Sequence, residues 1–221
     1  MKSYDYKFDF RDKRNLSLVM DFYELTMSQC YFNRDKEEEV VFDMFYRRNP
    51  DGGGYSICAG LEEVIGYIQN LHFEEEDIDY LRSLNKFSEE FLDSLRHFYF
   101  TGDLYAVPEG TPVFPYEPLI RVKAKIIDAQ LLETAMLLCM NHQTLIATKA
   151  RRIVQAAEGR TIMEFGARRA HNFAAADFGA RAAYIGGVAG TATTYAGKEY
   201  GIPALGTMAH SFIQSFDTEY E

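Results

Sequence analysis

A chain of 221 residues is long enough to bury a sizeable core, as one large domain or two small ones. Its net charge of −10 argues against nucleic acid or an anionic membrane surface as a partner, while leaving room for an anionic small molecule wherever basic residues cluster. The three cysteines, Cys30, Cys58 and Cys139, lie in apolar surroundings without metal-ligand spacing, the pattern of reduced thiols in a cytoplasmic protein.

Met1 to Lys13 is charged and aromatic, so no signal peptide is expected. No apolar run reaches the roughly 18 residues that a membrane span needs. Asn15 to Tyr31 reads as a helix, with Asn15 or Ser17 as its N-cap. Glu39 to Arg47 is rich in Val, Phe and Tyr and reads as a strand. The turn signal Asn49 to Gly54 and a second strand through Ala59 complete the expectation of a hairpin. Leu61 to Leu71 carries apolar residues at helical spacing, and acidic helical pieces follow over Glu74 to Leu84 and Ser88 to Phe98.

Asp103 to Lys125 is a strand region broken by four prolines and Gly110, which suits edge strands and turns better than a central sheet. Within it, Leu119 to Lys125 alternates cleanly between apolar and polar residues. Asp128 to Ala157 is the longest helical stretch, with Asp128 as N-cap, Gly159 as stop and a break expected near Asn141-His142. Lys149, Arg151 and Arg152 fall near its C-terminal end, where cations complement the helix dipole.

From Thr161 to Phe216 the chain repeats a short apolar run, a small polar turn and an alanine-rich segment. The runs are Thr161 to Phe165, Ala182 to Ile185 and Ile202 to Gly206; the turns hold Arg168 and Arg169, then Gly186 to Thr191, then Thr207 to Ser211. Such alternation predicts parallel strands joined by crossover helices, with the loops after the strands converging on one pocket. Guanidinium groups suit carboxylate or phosphate, and glycine N–H groups can form an anion nest. Imidazole offers a nucleophilic nitrogen near neutral pH.

These turns resemble the motifs of the nicotinate phosphoribosyltransferase family. The resemblance rests on Glu164 to Ala170, Tyr184 to Gly187 and Gly206 to Ser211. It extends backwards through Asp21 to Met27, Phe42 to Arg48, Gly53 to Gly60, Leu131 to Thr134 and Gln143 to Lys149, in order along nearly the whole chain. The fold it implies is α/β: an N-terminal α+β domain over residues 1–130, then the first βα units of an irregular TIM-like barrel over 131–221. A full barrel takes about 250 residues, so the barrel is expected to be incomplete in this chain.

The resemblance implies that nicotinate is joined to 5-phosphoribosyl 1-pyrophosphate, with Mg²⁺ on the pyrophosphate and ATP as co-substrate. By resemblance, His210 is the residue that ATP phosphorylates, with Thr207 and Ser211 steadying the phosphate. Arg168 contacts a phosphate or ribose phosphate, and Arg169 helps hold the nicotinate carboxylate. Gly187 and Thr191 belong to a phosphate cradle. Phe165 and the Tyr23 of a neighbouring subunit sandwich the pyridine ring, which makes a homodimer with a shared site the expected assembly. Ala192 stands where the related nicotinamide enzyme carries an Asp, and favours the acid over the amide. Two alternatives stay open: a truncated paralogue acting only through association, and a phosphoribosyltransferase using nicotinamide or quinolinate.

Overall fold

The computed structural model describes residues 15–218 and 220, and the chain divides into two compact units at Leu145 and Ile146. That division falls inside a long helix.

The first unit opens with α1, Phe22–Phe32. Asp21 is its N-cap, so the helix starts later than expected. Asn15 and Ser17 instead tie the preceding segment to the next layer: Asn15 donates to Asp77 at 2.6 Å, and the Ser17 hydroxyl donates to the His72 carbonyl. A three-stranded antiparallel sheet follows, built from β1 (Glu39–Met44), β5 (Ile120–Lys125) and β3 (Asp103–Ala106), with β5 in the middle. The shorter β2 (Ser56–Ile57) and β4 (Pro112–Val113) pair with each other.

Two expectations fail here. The strand after the glycine turn does not return onto β1, because β1 pairs with β5 across a long sequence gap. The alternating stretch at Leu119 to Lys125 is the central strand, since the prolines fall in the connections and at β4. Its two faces explain the choice. Ile120, Val122 and Ala124 are buried, whereas Arg121, Lys123 and Lys125 point outward to Asp43, Glu39 and Glu37. A strand with one apolar row and one fully paired cationic row is satisfied on both sides and at both edges.

Around this sheet lie α2 (Leu61–Asn70), α3 (Glu75–Ser83), α4 (Glu89–Arg96) and the short α5 (Ile126–Gln130). Val64, Tyr67, Leu132, Met136 and Met140 pack on the sheet residues Met44, Val122 and Ala124. A second cluster joins Leu25, Ile78, Leu81, Phe91, Leu92, Leu95 and Leu131. Helix α2 begins at Gly60, whose φ of 108° only glycine adopts easily, and a Cβ there would meet the Cys139 carbonyl oxygen at 2.5 Å. The Glu109 carboxylate accepts the first free N–H groups of the helix, from Gly60 at 2.5 Å and Leu61 at 3.0 Å.

The expected helix from Asp128 to Ala157 is two helices, α5 and α6 (Glu133–Ala156), and α6 runs unbroken through Asn141 and His142. Asp128 is not an N-cap; its buried carboxylate accepts from the Thr101 hydroxyl at 2.9 Å. The three cysteines are free, and burial pushes the Cys58 thiol up to about 12. Among the described residues no helix is long and apolar enough to cross a membrane.

The second unit begins within α6 and contains α7 (Phe173–Ile185), α8 (Thr194–Tyr200) and the single-turn α9 (His210–Ile213). Its small core sets Ala150 and Ile146 against Ala183, Val188 and Ile162.

Candidate active site

In the second unit three short extended segments lie side by side in parallel, bridged from Glu164 to Thr191 and from Thr191 to Ala204. Backbone bonds run along both seams. Ala189 N–H reaches Ile162 O at 2.8 Å, Glu164 N–H reaches Gly190 O at 2.9 Å, and Ala192 N–H reaches Glu164 O at 2.9 Å. On the other side Thr191 N–H meets Pro203 O at 3.0 Å, and Leu205 N–H meets Thr191 O at 2.8 Å. The spatial order follows the chain order, with α7 and α8 as crossovers, as expected for the start of a parallel barrel.

The middle segment is not where the sequence pattern predicts it. Ala182 to Ile185 forms the last turn of α7, closed by Gly186 N–H on Ala182 O at 3.0 Å. The alanine run keeps its helical preference until the glycines, and the extended segment starts only at Val188. Gly186 is there for a close approach, since a Cβ would meet the Ala147 carbonyl oxygen at 2.6 Å, and Gly187 turns the chain at φ 105°. Both glycines therefore precede the second segment and lie at its amino end. The expected cradle at Gly187 is at the opposite end from the loops that carry the charged candidates.

Those loops do share an end. After the first segment a single 3₁₀ turn, Ala167–Arg169, presents Arg168 and Arg169 to solvent. After the third, an exposed loop holds Thr207, and α9 starts at His210 with Ser211 next to it. Phe165, at the end of the first segment, is 44% exposed, accessible enough to offer a ring face. Ala192 is exposed at the end of the second.

Thr191 is fully buried, and its hydroxyl is committed: it donates to Glu164 Oε2 at 2.6 Å and accepts from Thr193 N–H at 3.0 Å. It is thus placed to hold the site's frame, and a direct substrate contact through its side chain is not what this geometry offers. Glu164 is the residue of the candidate site that the sequence pattern did not single out. The available signal was a carboxylate placed next to last in an otherwise apolar strand.

Tyr23 belongs to the first unit, on α1, and is 41% exposed. The Glu133 carboxylate accepts a hydrogen bond from its hydroxyl and, with partial burial, pushes the phenol up to about 12, so Tyr23 is neutral across the physiological range. A groove of about 810 Å³ in the same unit is lined by β1, by Asp21 and by α6 residues including Glu133, Leu137 and Leu138. Its three carboxylates, Asp21, Asp43 and Glu133, outnumber its one arginine, Arg47, and disfavour an anionic ligand, so the arginine-bearing loops are the better candidate site. Among the described residues no group of three His, Cys, Asp or Glu side chains is placed to hold a metal ion.

Comparison with known proteins agrees with this architecture. Residues 18–141 match the family model for the nicotinate phosphoribosyltransferase N-terminal domain, and residues 160–219 match that for the nicotinate phosphoribosyltransferase family. Nicotinate phosphoribosyltransferase pncB2 of Mycobacterium tuberculosis is 47% identical over 92% of this chain and 44% of its own length. Nicotinate phosphoribosyltransferase of Bacillus subtilis is 44% identical over 97% of this chain and 44% of its own. The crystal structure of human nicotinic acid phosphoribosyltransferase superposes with a TM-score of 0.82 at 31% identity, covering 89% of this chain and 40% of that one. The chain thus spans less than half the length of these relatives.

Proposed function

The chain belongs to the nicotinate phosphoribosyltransferase family, and from that premise we propose that it supplies the acid-binding and phosphoryl-accepting loops of an enzyme of NAD salvage. The reaction joins nicotinate to 5-phosphoribosyl 1-pyrophosphate. The pyridine nitrogen forms the new bond to the anomeric carbon, the bond from that carbon to the pyrophosphate oxygen breaks, and pyrophosphate departs with its electron pair. Nicotinate mononucleotide remains.

The observation that supports this reading is the parallel seam at Thr191, which sends the Arg168–Arg169 turn and the His210 loop off the same end of the sheet. Arg169 pairs with the nicotinate carboxylate and Arg168 with a phosphate, each as a two-pronged guanidinium contact. Phe165 offers one aromatic face to the ring, and the partner subunit's Tyr23 offers the other, as an uncharged phenol. His210 accepts the γ-phosphoryl group of ATP on a ring nitrogen as the bond to ADP breaks, and the Thr207 and Ser211 hydroxyls steady the product. Holding both substrates in line and stabilising charge as pyrophosphate separates is most of the catalytic task. Among the described residues no group of three or more His, Cys, Asp or Glu side chains is placed to hold the Mg²⁺ expected with the pyrophosphate. The protein acts in the cytoplasm as a homodimer.

The test is turnover by the protein at the full length of its relatives, supplied with nicotinate, 5-phosphoribosyl 1-pyrophosphate and ATP. Nicotinate mononucleotide and pyrophosphate are expected in equal amounts; product from quinolinate or nicotinamide but not nicotinate would overturn the proposal.

A further inference from the structure

Glu164 bonds to three separate parts of the candidate site. Its main chain is pinned to the second segment on both sides, through Gly190 O and Ala192 N–H, each at 2.9 Å. Its side chain then divides. One carboxylate oxygen accepts the Gly166 N–H, the residue from which the Arg168–Arg169 turn springs, and the other accepts the Thr191 hydroxyl at 2.6 Å. The Thr191 oxygen in turn accepts Thr193 N–H at 3.0 Å, and Thr193 is the N-cap of α8. Among the described residues Glu164 forms no ion pair with a Lys or Arg, so its charge is spent on these bonds, which are stronger for being made to a carboxylate.

From this we infer that Glu164, acting through Thr191, is a positioning residue that fixes the spacing between the arginine turn and the loop opening α8. The inference rests on the proposed function for its consequence: Arg168 and Arg169 can meet an anionic substrate only if the turn that bears them is held in place. A misplacement of about 1 Å in such a contact costs on the order of a hundredfold in rate. No contact between Glu164 and the substrate is involved.

Three variants in the full-length protein test it: Glu164→Gln, whose single amide oxygen can accept the Gly166 N–H or the Thr191 hydroxyl but not both, Thr191→Val, which deletes that hydroxyl at similar volume, and Thr191→Ser, which keeps it. The expected result is a rise of about tenfold or more in the KM for nicotinate in the first two, with Thr191→Ser within about threefold of wild type. The double variant Glu164→Gln/Thr191→Val is expected to be no worse than the poorer single variant, because both break one network. Amide exchange without substrate supplies the second readout: Gly166 and Thr193 lose protection in both network-breaking variants and keep it in Thr191→Ser. Unchanged exchange at both amides, or additive losses in KM, would overturn the inference. If wild type makes no nicotinate mononucleotide, the proposed function fails, and the exchange data alone decide whether the clamp exists.

Discussion

The Thr191 carbonyl accepts the Leu205 N–H at 2.8 Å, and this bond sets the direction of the third segment beside the second. With Glu164 bridged in parallel on the other side of Thr191, the residues that follow each segment leave from one end. Arg168 and His210 are far apart in the chain, and the seam brings their loops to a common edge.

If that edge binds nicotinate through its carboxylate, Arg169→Ala should raise the KM for nicotinate by about 10- to 100-fold with a smaller effect on kcat, since a charge-assisted pair contributes about 1.5–3 kcal/mol. Steady-state kinetics at fixed ionic strength check this. An equal loss in kcat with KM unchanged would move Arg169 from ground-state binding to the transition state.

His210→Ala should abolish the part of the rate that ATP stimulates and leave the ATP-independent part. Acid-labile ³²P transferred from γ-labelled ATP to the protein gives an independent check, and its survival in the variant would assign the phosphoryl group to another residue.

Ala192 is exposed at the end of the second segment. Ala192→Asp should shift the ratio of kcat/KM for nicotinate over nicotinamide towards the amide by about tenfold or more, because a carboxylate there repels the acid and accepts from the amide. Competition between the two substrates measures the ratio directly, and an unchanged ratio would detach this position from the pyridine substituent.

Glu24 gives a prediction that is independent of function. It is fully buried on α1, its Oε1 accepts the Thr134 hydroxyl and amide, and its Oε2 has no hydrogen-bond partner among the described residues. Burial therefore raises its carboxyl above the ordinary value of 4.5. A raised value means that the folded state holds the proton more tightly than the unfolded one. The stability from this group is fully present below the unfolded value and is lost as pH rises through the folded one. Glu24→Gln lacks that loss, so its Tm relative to wild type should rise between pH 4 and pH 7. Each tenfold by which folding tightens the proton on Glu24 adds about 1.4 kcal/mol to that difference. A difference that stays flat with pH would contradict the assignment. Glu24→Ala, which also orphans Thr134, should be less stable than Glu24→Gln at every pH.

How much of this was legible beforehand depended on whether the signal was local. Apolar spacing in Leu61 to Leu71 and strict alternation in Leu119 to Lys125 report burial on one face, and each became the element that its period predicts. The partner of β1 was not legible, because a glycine turn suggests a hairpin while the pairing with β5 is settled by ion pairs and apolar rows far along the chain. Ala182 to Ile185 misleads for another reason: four apolar residues look alike as a buried strand or as the end of a buried helix. That slip carried Gly187 to the wrong end of the sheet. Arg168 and His210 escaped it, because each follows an extended segment that the sequence had placed correctly. The Glu164–Thr191 bond could not be read from residue types, since it depends on two segments coming into register.

The arginine turn and the His210 loop are proposed to serve one acid-using transfer reaction. The most direct measurement is product identification by mass spectrometry, using the full-length protein with nicotinate, nicotinamide and quinolinate in equal amounts, 5-phosphoribosyl 1-pyrophosphate and ATP. Nicotinate mononucleotide is expected from nicotinate, with a yield that falls when ATP is withheld. Nicotinamide mononucleotide as the main product, or product drawn from quinolinate with release of CO₂, would contradict it.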